Sequence, residues 1–365
     1  MKTNLKYKIV TVVTVLIASA VGQVWGVSYR VIDLNPSGFK GSEACGISGT
    51  QQVGYGYGNT HALLWNGSAA SYVDLNPSGF SISMALGANG TQQVGAGMGP
   101  ATGGGTHALL WNGSAASYVD LNPSGFDSEA YGTSGTQQVG WGAGPATGGN
   151  QQALLWNGSA ASYVNLNPSG FVLSFAYGSN GTQQAGSGYG PATSGNYHAL
   201  LWNGGAESYV DLNPSGFSES MAFGISGTQQ VGYGDGPATG NLHALLWNGS
   251  AESYIDLNPS GFGYSYALGA NGTQQIGFGG GSASGSQEHA LFWNGSADSF
   301  IDLHQLLPTG FVGSRAQAID SYGNIVGFAY DNLGNEHAIL WEPIPEPATL
   351  LLLGLGGLVL RRNKK

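Results

Sequence analysis

The stretch HALLWNGSAASYVDLNPSGF, residues 61–80, decides how the chain is read, because it does not occur only once. Counting from Trp65, its tryptophan returns at Trp111, Trp156, Trp202, Trp247, Trp293 and Trp341, at spacings of 46, 45, 46, 45, 46 and 48 residues. A fixed period of this size marks a repeat architecture. The apolar residues show no helical period and glycine interrupts every segment, so the units are β. In the second copy four short strands are predicted, over residues 83–88, 91–95, 107–111 and 117–121. Asn89-Gly90 and Asn112-Gly113 accept the positive φ of hairpin turns, and Asn122-Pro123-Ser124-Gly125 ends the fourth strand because proline donates nothing to a ladder. Four strands repeated seven times predict an all-β, seven-bladed β-propeller, with a β-solenoid as the alternative.

The repeat starts out of phase with the blades. The chain opens on a fourth-strand motif, Tyr29 to Leu34, and its last copy ends on a third-strand motif, His337 to Trp341. First strands begin near Ser42, Ser83, Ser128, Ser174, Ser220, Ser265 and Ser314, so the seventh blade lacks an outer strand unless residues 29–34 supply it. That closure is predicted, since it removes an open sheet edge. A four-residue hairpin loop from Asn66 to Ala69 sets Trp65 opposite Ala70, Leu63 opposite Tyr72 and His61 opposite Asp74. The same count pairs His107 with Asp120, His198 with Asp211, His243 with Asp256 and His289 with Asp302. In the third copy Gln152 and Asn165 replace both partners together, as an amide pair keeping the hydrogen bond without the charges. His337 and Asp33 have no partner in an open chain and meet on closure.

Composition narrows the function. The 64 glycines lack the strict triplet period of collagen, and 11% aromatic residues supply more core material than a flexible linker holds. The single cysteine, Cys45, leaves no internal disulfide and no cysteine-based zinc site. Between residues 27 and 344 only Arg30, Lys40 and Arg315 are basic, against 19 carboxylates, a net charge of −16 that excludes a nucleic-acid partner. The repeated histidines sit on different blades, too far apart to share an ion, so no metal or cofactor is expected.

The ends read as addresses. Residues 1–26 combine a lysine-bearing start, an apolar run from Ile9 to Ile17 and the small residues Ala18-Ser19-Ala20, the pattern of a secretory signal peptide cleaved after Ala20 or Gly26. Residues 27–344 form the repeat domain. Residues 345–365 begin Pro345-Glu346-Pro347, continue as an apolar stretch from Ala348 to Leu360, and end on Arg361, Arg362, Asn363, Lys364 and Lys365. This order of parts resembles the PEP-CTERM sorting signal. The resemblance implies recognition of Pro345, Glu346 and Pro347 by an exosortase, with Arg361, Arg362, Lys364 and Lys365 as a stop-transfer tail. It also implies transient anchoring in the inner membrane before release or transfer to the cell surface.

The unit built from His-Ala-Leu-Leu-Trp, Asp-Leu and Gln-Gln-Val-Gly resembles the HAF repeat of bacterial extracellular proteins over residues 29–341. It departs at the third position of the name motif, where the copies carry leucine or, in the last, Ile339, and the phenylalanine of the sixth copy, Phe292, stands one position later. That resemblance implies an exported repeat protein and transfers no catalytic residue.

The residues that differ between copies are the candidates for a ligand. Tyr131, Trp141, Tyr177, Tyr189, Phe223, Tyr233 and Tyr266 stand at first-strand beginnings or second-strand ends, where aromatic rings either pack between blades or stack on sugars. No nucleophile elbow, zinc-protease pair or asymmetric triad stands out, and polar residues copied into every unit do not make one catalytic constellation. The expectation is an exported, non-catalytic surface or matrix protein that binds exopolysaccharide multivalently. A purely structural surface protein and a glycan-active enzyme using Asp127 and Glu129 are the alternatives. Asn-Gly-Ser and Asn-Gly-Thr triplets such as Asn66 and Asn89 read as turn chemistry rather than glycan acceptors. His304 has no evident partner.

Overall fold

The computed structural model describes residues 28–344 apart from Ala238, so the predicted signal peptide, the Pro345-Glu346-Pro347 motif and the basic tail lie outside the described residues. Twenty-eight strands form seven antiparallel sheets of four. The first strand of every blade lines one central channel, from Ile47 in blade one to Ile319 in blade seven. This is the seven-bladed propeller, and a solenoid is excluded, because the chain ends meet: Ser28–Asp33 pairs with the C-terminal strand Glu336–Ile344, Ser28 opposite Ile344 and Asp33 opposite Ile339. The closure predicted from the phase of the repeat is present, and Arg30 Nε donates to Glu342 across it at 2.9 Å.

The core lies between blades. Val53, Ala62, Leu64 and Leu75 of blade one pack against Ala85, Leu109 and Trp111 of blade two, and equivalent clusters fill the other junctions. All seven repeat tryptophans are completely buried. An all-apolar third strand such as Ala-Leu-Leu-Trp is thus buried on both faces, which is why it shows no alternation. The N-terminal strand serves two junctions at once, Tyr29 in the cluster between blades six and seven and Leu34 in that between seven and one.

The fourth strand differs from its prediction. In blade two it is Val119–Asp120 rather than residues 117–121, because Ala115–Ser117 forms a 3-10 turn. Ser117 Oγ accepts the Asn112 amide at 2.8 Å and donates to the Ser114 carbonyl at 2.6 Å, a local bond that competes with the ladder. The longer connection moves the register: Asp74 stands opposite Leu63, not opposite His61, and Val73 opposite Leu64. The paired side chains still meet, now along a diagonal.

A hydrogen-bonded clasp ties each blade to the next. Ser174 Oγ, wholly buried, donates to Asn167 Oδ1 at 2.7 Å and accepts the Ala153 amide of the preceding blade at 2.9 Å. Asn76, Ser83 and Ala62 repeat the arrangement, and at the closure Asn35, Ser42 and Ala338 do the same. At the sixth junction His304 takes the asparagine's place, with Nδ1 3.0 Å from Ser314 Oγ. The residue without an evident partner in sequence is therefore a clasp member, stacked on His289 at 4.0 Å. Burial and the neighbouring His289 lower its pKa, so the neutral ring is favoured. Ser174→Ala leaves the Ala153 amide and the Asn167 carbonyl unpaired. A loss of about 1–3 kcal/mol in urea unfolding is expected, against almost none for the exposed Ser215→Ala.

Candidate functional site

Two ends of the channel differ in chemistry. At the hairpin end, first strands turn into second strands through residues such as Asn89-Gly90-Thr91. The crossover end is where one blade's fourth strand passes to the next blade's first strand. There first strands begin and second strands end, so the side chains that vary between repeats gather around one opening. A cavity of about 330 Å³ occupies it, lined by Glu43, Tyr55, Tyr131, Tyr177, Phe223 and Gln317 among others.

The predicted aromatics form one belt. Trp141 Nε1 donates to the Tyr131 hydroxyl at 3.0 Å. Ring centroids then follow at 5.4 Å from Tyr131 to Tyr177, 5.2 Å to Phe223, 5.9 Å to Tyr233 and 4.9 Å to Tyr266. Tyr266 stacks on Phe278 at 4.9 Å, and the Arg315 guanidinium lies 4.4 Å over that ring, held by two bonds to Glu288 at 2.6 and 2.9 Å. Tyr189 stands behind the belt, linked through Tyr197 and Phe175. Most of these rings are half-buried, while Tyr233 is buried. Burial pushes the Tyr177 phenol up to about 12 and raises Tyr131 and Tyr233 further, so all three remain neutral donors at physiological pH.

The six His–Asp pairs flank this end rather than filling it. His61–Asp74, His107–Asp120, His198–Asp211, His243–Asp256, His289–Asp302 and His337–Asp33 each join Nδ1 to a carboxylate oxygen at 2.7 or 2.8 Å. In the third blade Asn165 Nδ2 donates to Gln152 Oε1 at 2.7 Å. The second oxygen of Asp74 accepts the Asn76 amide at 2.8 Å, so the pair also starts the Asn-Pro-Ser-Gly turn.

The two carboxylates weighed in sequence each have a local partner. Asp127 accepts the Thr106 amide at 2.9 Å, and Glu129 accepts the Trp141 indole at 3.3 Å. The carboxyls brought into contact are Glu43 and Glu336, on the first strand of blade one and the third strand of blade seven, with the Tyr57 hydroxyl donating to Glu43. Burial raises Glu43 to about 6, the Glu336 charge adds to this, and the Tyr57 bond opposes it. Glu336 went unnoticed in sequence. Its position, just before the third-strand histidine, is one that varies between copies, from Thr60 in blade one to Glu288 and Glu336 in blades six and seven.

Because the folded chain holds this proton more tightly than the unfolded one, the Glu43 contribution is most favourable below pH 4.5 and is lost as pH rises through 6. Glu43→Gln should therefore stabilise the domain at pH 8 by about 1–2 kcal/mol and leave it unchanged at pH 4, as read from thermal melts. Equal effects at both pH values would contradict the raised Glu43 pKa.

The PEP-CTERM protein-sorting motif matches residues 343–365. No curated protein matches the chain by sequence. Among solved structures, TolB from Acinetobacter baumannii is 15% identical, with a TM-score of 0.41, covering 62% of this chain and 53% of its own. A puromycin hydrolase is 9% identical, with a TM-score of 0.56 over 82% of this chain and 51% of its own. The chain thus spans about half the length of these two proteins. The β-propeller domain of the Trilobed protease from Pyrococcus furiosus is 7% identical, with a TM-score of 0.52, covering 85% of this chain and 95% of that domain. That domain is described as having an open velcro topology, whereas here the N-terminal strand closes the ring. At these identities the likeness concerns the fold alone. Among the described residues no helix is long and apolar enough to cross a membrane. The molecule is a seven-bladed propeller followed by a PEP-CTERM sorting motif, and that motif marks an exported surface protein handled by an exosortase.

Proposed function

We propose that the chain is a non-catalytic component of the cell surface or extracellular matrix whose crossover-end mouth binds exopolysaccharide. The observation that carries this reading is the continuous belt from Trp141 through Tyr131, Tyr177, Phe223, Tyr233 and Tyr266, of which Tyr131, Tyr177 and Phe223 line the opening. Half-buried rings beside neutral phenol donors suit the apolar faces and hydroxyl edges of sugars. The belt is one composite platform rather than seven equal sites, so avidity on a repetitive polymer arises from several copies of the protein displayed together. The HAF-repeat resemblance supports the exported, repeat-protein part of this reading.

Retention of the purified domain, residues 27–344, on the organism's own polysaccharide tests it. Tyr177→Ala and Tyr266→Ala are each expected to weaken binding by about 0.5–1.5 kcal/mol, the scale of one stacked ring. No retention in either low or high salt would remove the glycan reading and leave a purely structural role. A glycan-active enzyme is the second reading, favoured by the Glu43–Glu336 contact at the same mouth. It predicts hydrolysis that Glu43→Gln abolishes while Asp127→Asn with Glu129→Gln does not.

A further inference from the structure

The sorting motif begins inside the fold. Its match starts at residue 343, and residues 343–344 are the end of the C-terminal strand. That strand runs from Glu336 at the crossover end to Ile344 at the hairpin end, where Pro343 borders the Gly323 turn. The apolar stretch of the sequence starts at Ala348. Four residues reach at most about 14 Å even when fully extended. The nine-residue strand itself spans roughly 26–30 Å. The tether is therefore too short to bring the crossover end to a bilayer that holds residues 348–360.

Charge is distributed in the same sense. By chain position the connections and strand tips of the hairpin end hold Glu207, Glu252, Asp298, Asp320 and Glu342, five of the 19 carboxylates between residues 27 and 344, together with Arg30, although the Glu207 carboxylate reaches a crossover turn and accepts the Ser169 amide at 3.1 Å. The other fourteen carboxylates stand toward the crossover end with Lys40 and Arg315, giving about −12 there against −4. An anionic lipid surface repels the crossover end more than the hairpin end, over a screening length of about 8 Å.

We propose that, while held by its sorting segment, the propeller stands with its hairpin end on the lipid surface and its aromatic crossover mouth directed away from the membrane. The uncharged hairpin turns, such as Asn89-Gly90-Thr91 and Gly227-Thr228, then meet the headgroups without burying charge. The mouth is open to polymer from the anchored stage onward. This orientation rests on the strand geometry and the sorting motif, and it holds whether or not the mouth binds a glycan.

The test uses the full-length chain in vesicles of phosphatidylethanolamine and phosphatidylglycerol. Nitroxide labels are placed singly, in a Cys45→Ala background, at the exposed Thr91 or Thr228 of the hairpin end and at the exposed Ser78 or Ser215 of the crossover end. A lipid carrying a nickel chelate at its headgroup should relax the hairpin-end labels several-fold more than the crossover-end labels. Equal relaxation at both ends, or stronger relaxation at Ser78 and Ser215, would overturn the proposal. Should Cys45→Ala fail to show the parent melting transition, Cys45→Ser serves as background. Inserting a flexible Gly-Ser linker able to span roughly 30 Å after Ile344 should reduce the difference between the ends. A difference unchanged by the linker would refute the short tether as its cause.

Discussion

Removal of residues 27–35 is expected to abolish folding to a stable monomer, although it takes away under a tenth of the repeat domain. The deleted strand carries Tyr29, 8% exposed, and Leu34, fully buried, and these belong to two different interblade clusters. Losing both side chains costs about 3–6 kcal/mol at 1.5–3 kcal/mol each. The deletion also removes six paired ladder positions, the Asp33 partner of His337 and the Asn35 that receives Ser42. Against a total stability of about 5–15 kcal/mol for a domain, this is decisive. The C-terminal strand then becomes an open edge with its ladder groups unpaired, so exchange with a second chain is expected. Light scattering should show dimers or larger species, and a synthetic peptide of residues 27–35 should restore the monomer and its melting transition. A deleted chain that stays monomeric and melts within a few degrees of the parent would show that the ring is held without this strand.

The second large effect is predicted at Gly140, in the second strand of blade three. A Cβ built there would lie 1.8 Å from the Glu129 carbonyl oxygen and 2.9 Å from Ala130 Cα, both backbone atoms of the adjoining first strand. The close approach accompanies a bulge between Ala130 and Gly132 that bends the inner strand, and the equivalent Gly54 and Gly327 meet the same geometry at 1.8 and 1.9 Å. No rotamer relieves a backbone clash of this kind, so the inner strand must part from its neighbour. Gly140→Ala should cost about 3 kcal/mol or more, beyond the usual range for a single methyl group. Gly205→Ala is the control, since nothing lies within 4 Å of its Cβ position and its φ of −153° is ordinary extended backbone. Urea unfolding of the two variants side by side checks the pair. A Gly140→Ala protein as stable as Gly205→Ala would mean that the bulge adapts.

Much of the architecture was legible because a repeat carries its own comparison. The tryptophan spacing counted the blades, and the offset between the opening and closing motifs exposed the closure. The joint replacement of a histidine and an aspartate by Gln152 and Asn165 revealed a contact without any coordinates. The fourth-strand register was misjudged because the Ser117 hydroxyl bonds locally and lengthens the connection by a 3-10 turn. A residue count across a hairpin assumes a loop type, and the side chain that selects that type acts outside the count. The clasp was missed for a related reason. Asn167 and Ser174 read as separate turn and strand residues until the Ala153 amide of the preceding blade joins them.

At the candidate site, the individual rings were picked out by their variation between repeats, but their union into a belt was not. Residues such as Tyr177 and Phe223 lie one period apart in the chain, and only the radial arrangement of first strands sets their centroids 5.2 Å apart. The Glu43–Glu336 contact is the extreme case, since it joins blade one to blade seven and exists only in a closed ring. What the sequence determined by itself is therefore everything periodic: the β class, the number of blades, the paired ends and the His–Asp bonds of six blades, with the amide pair of the third. The tertiary structure alone decided which unlike residues face one another, because periodicity specifies each unit equally while curvature and closure choose the neighbours across the channel.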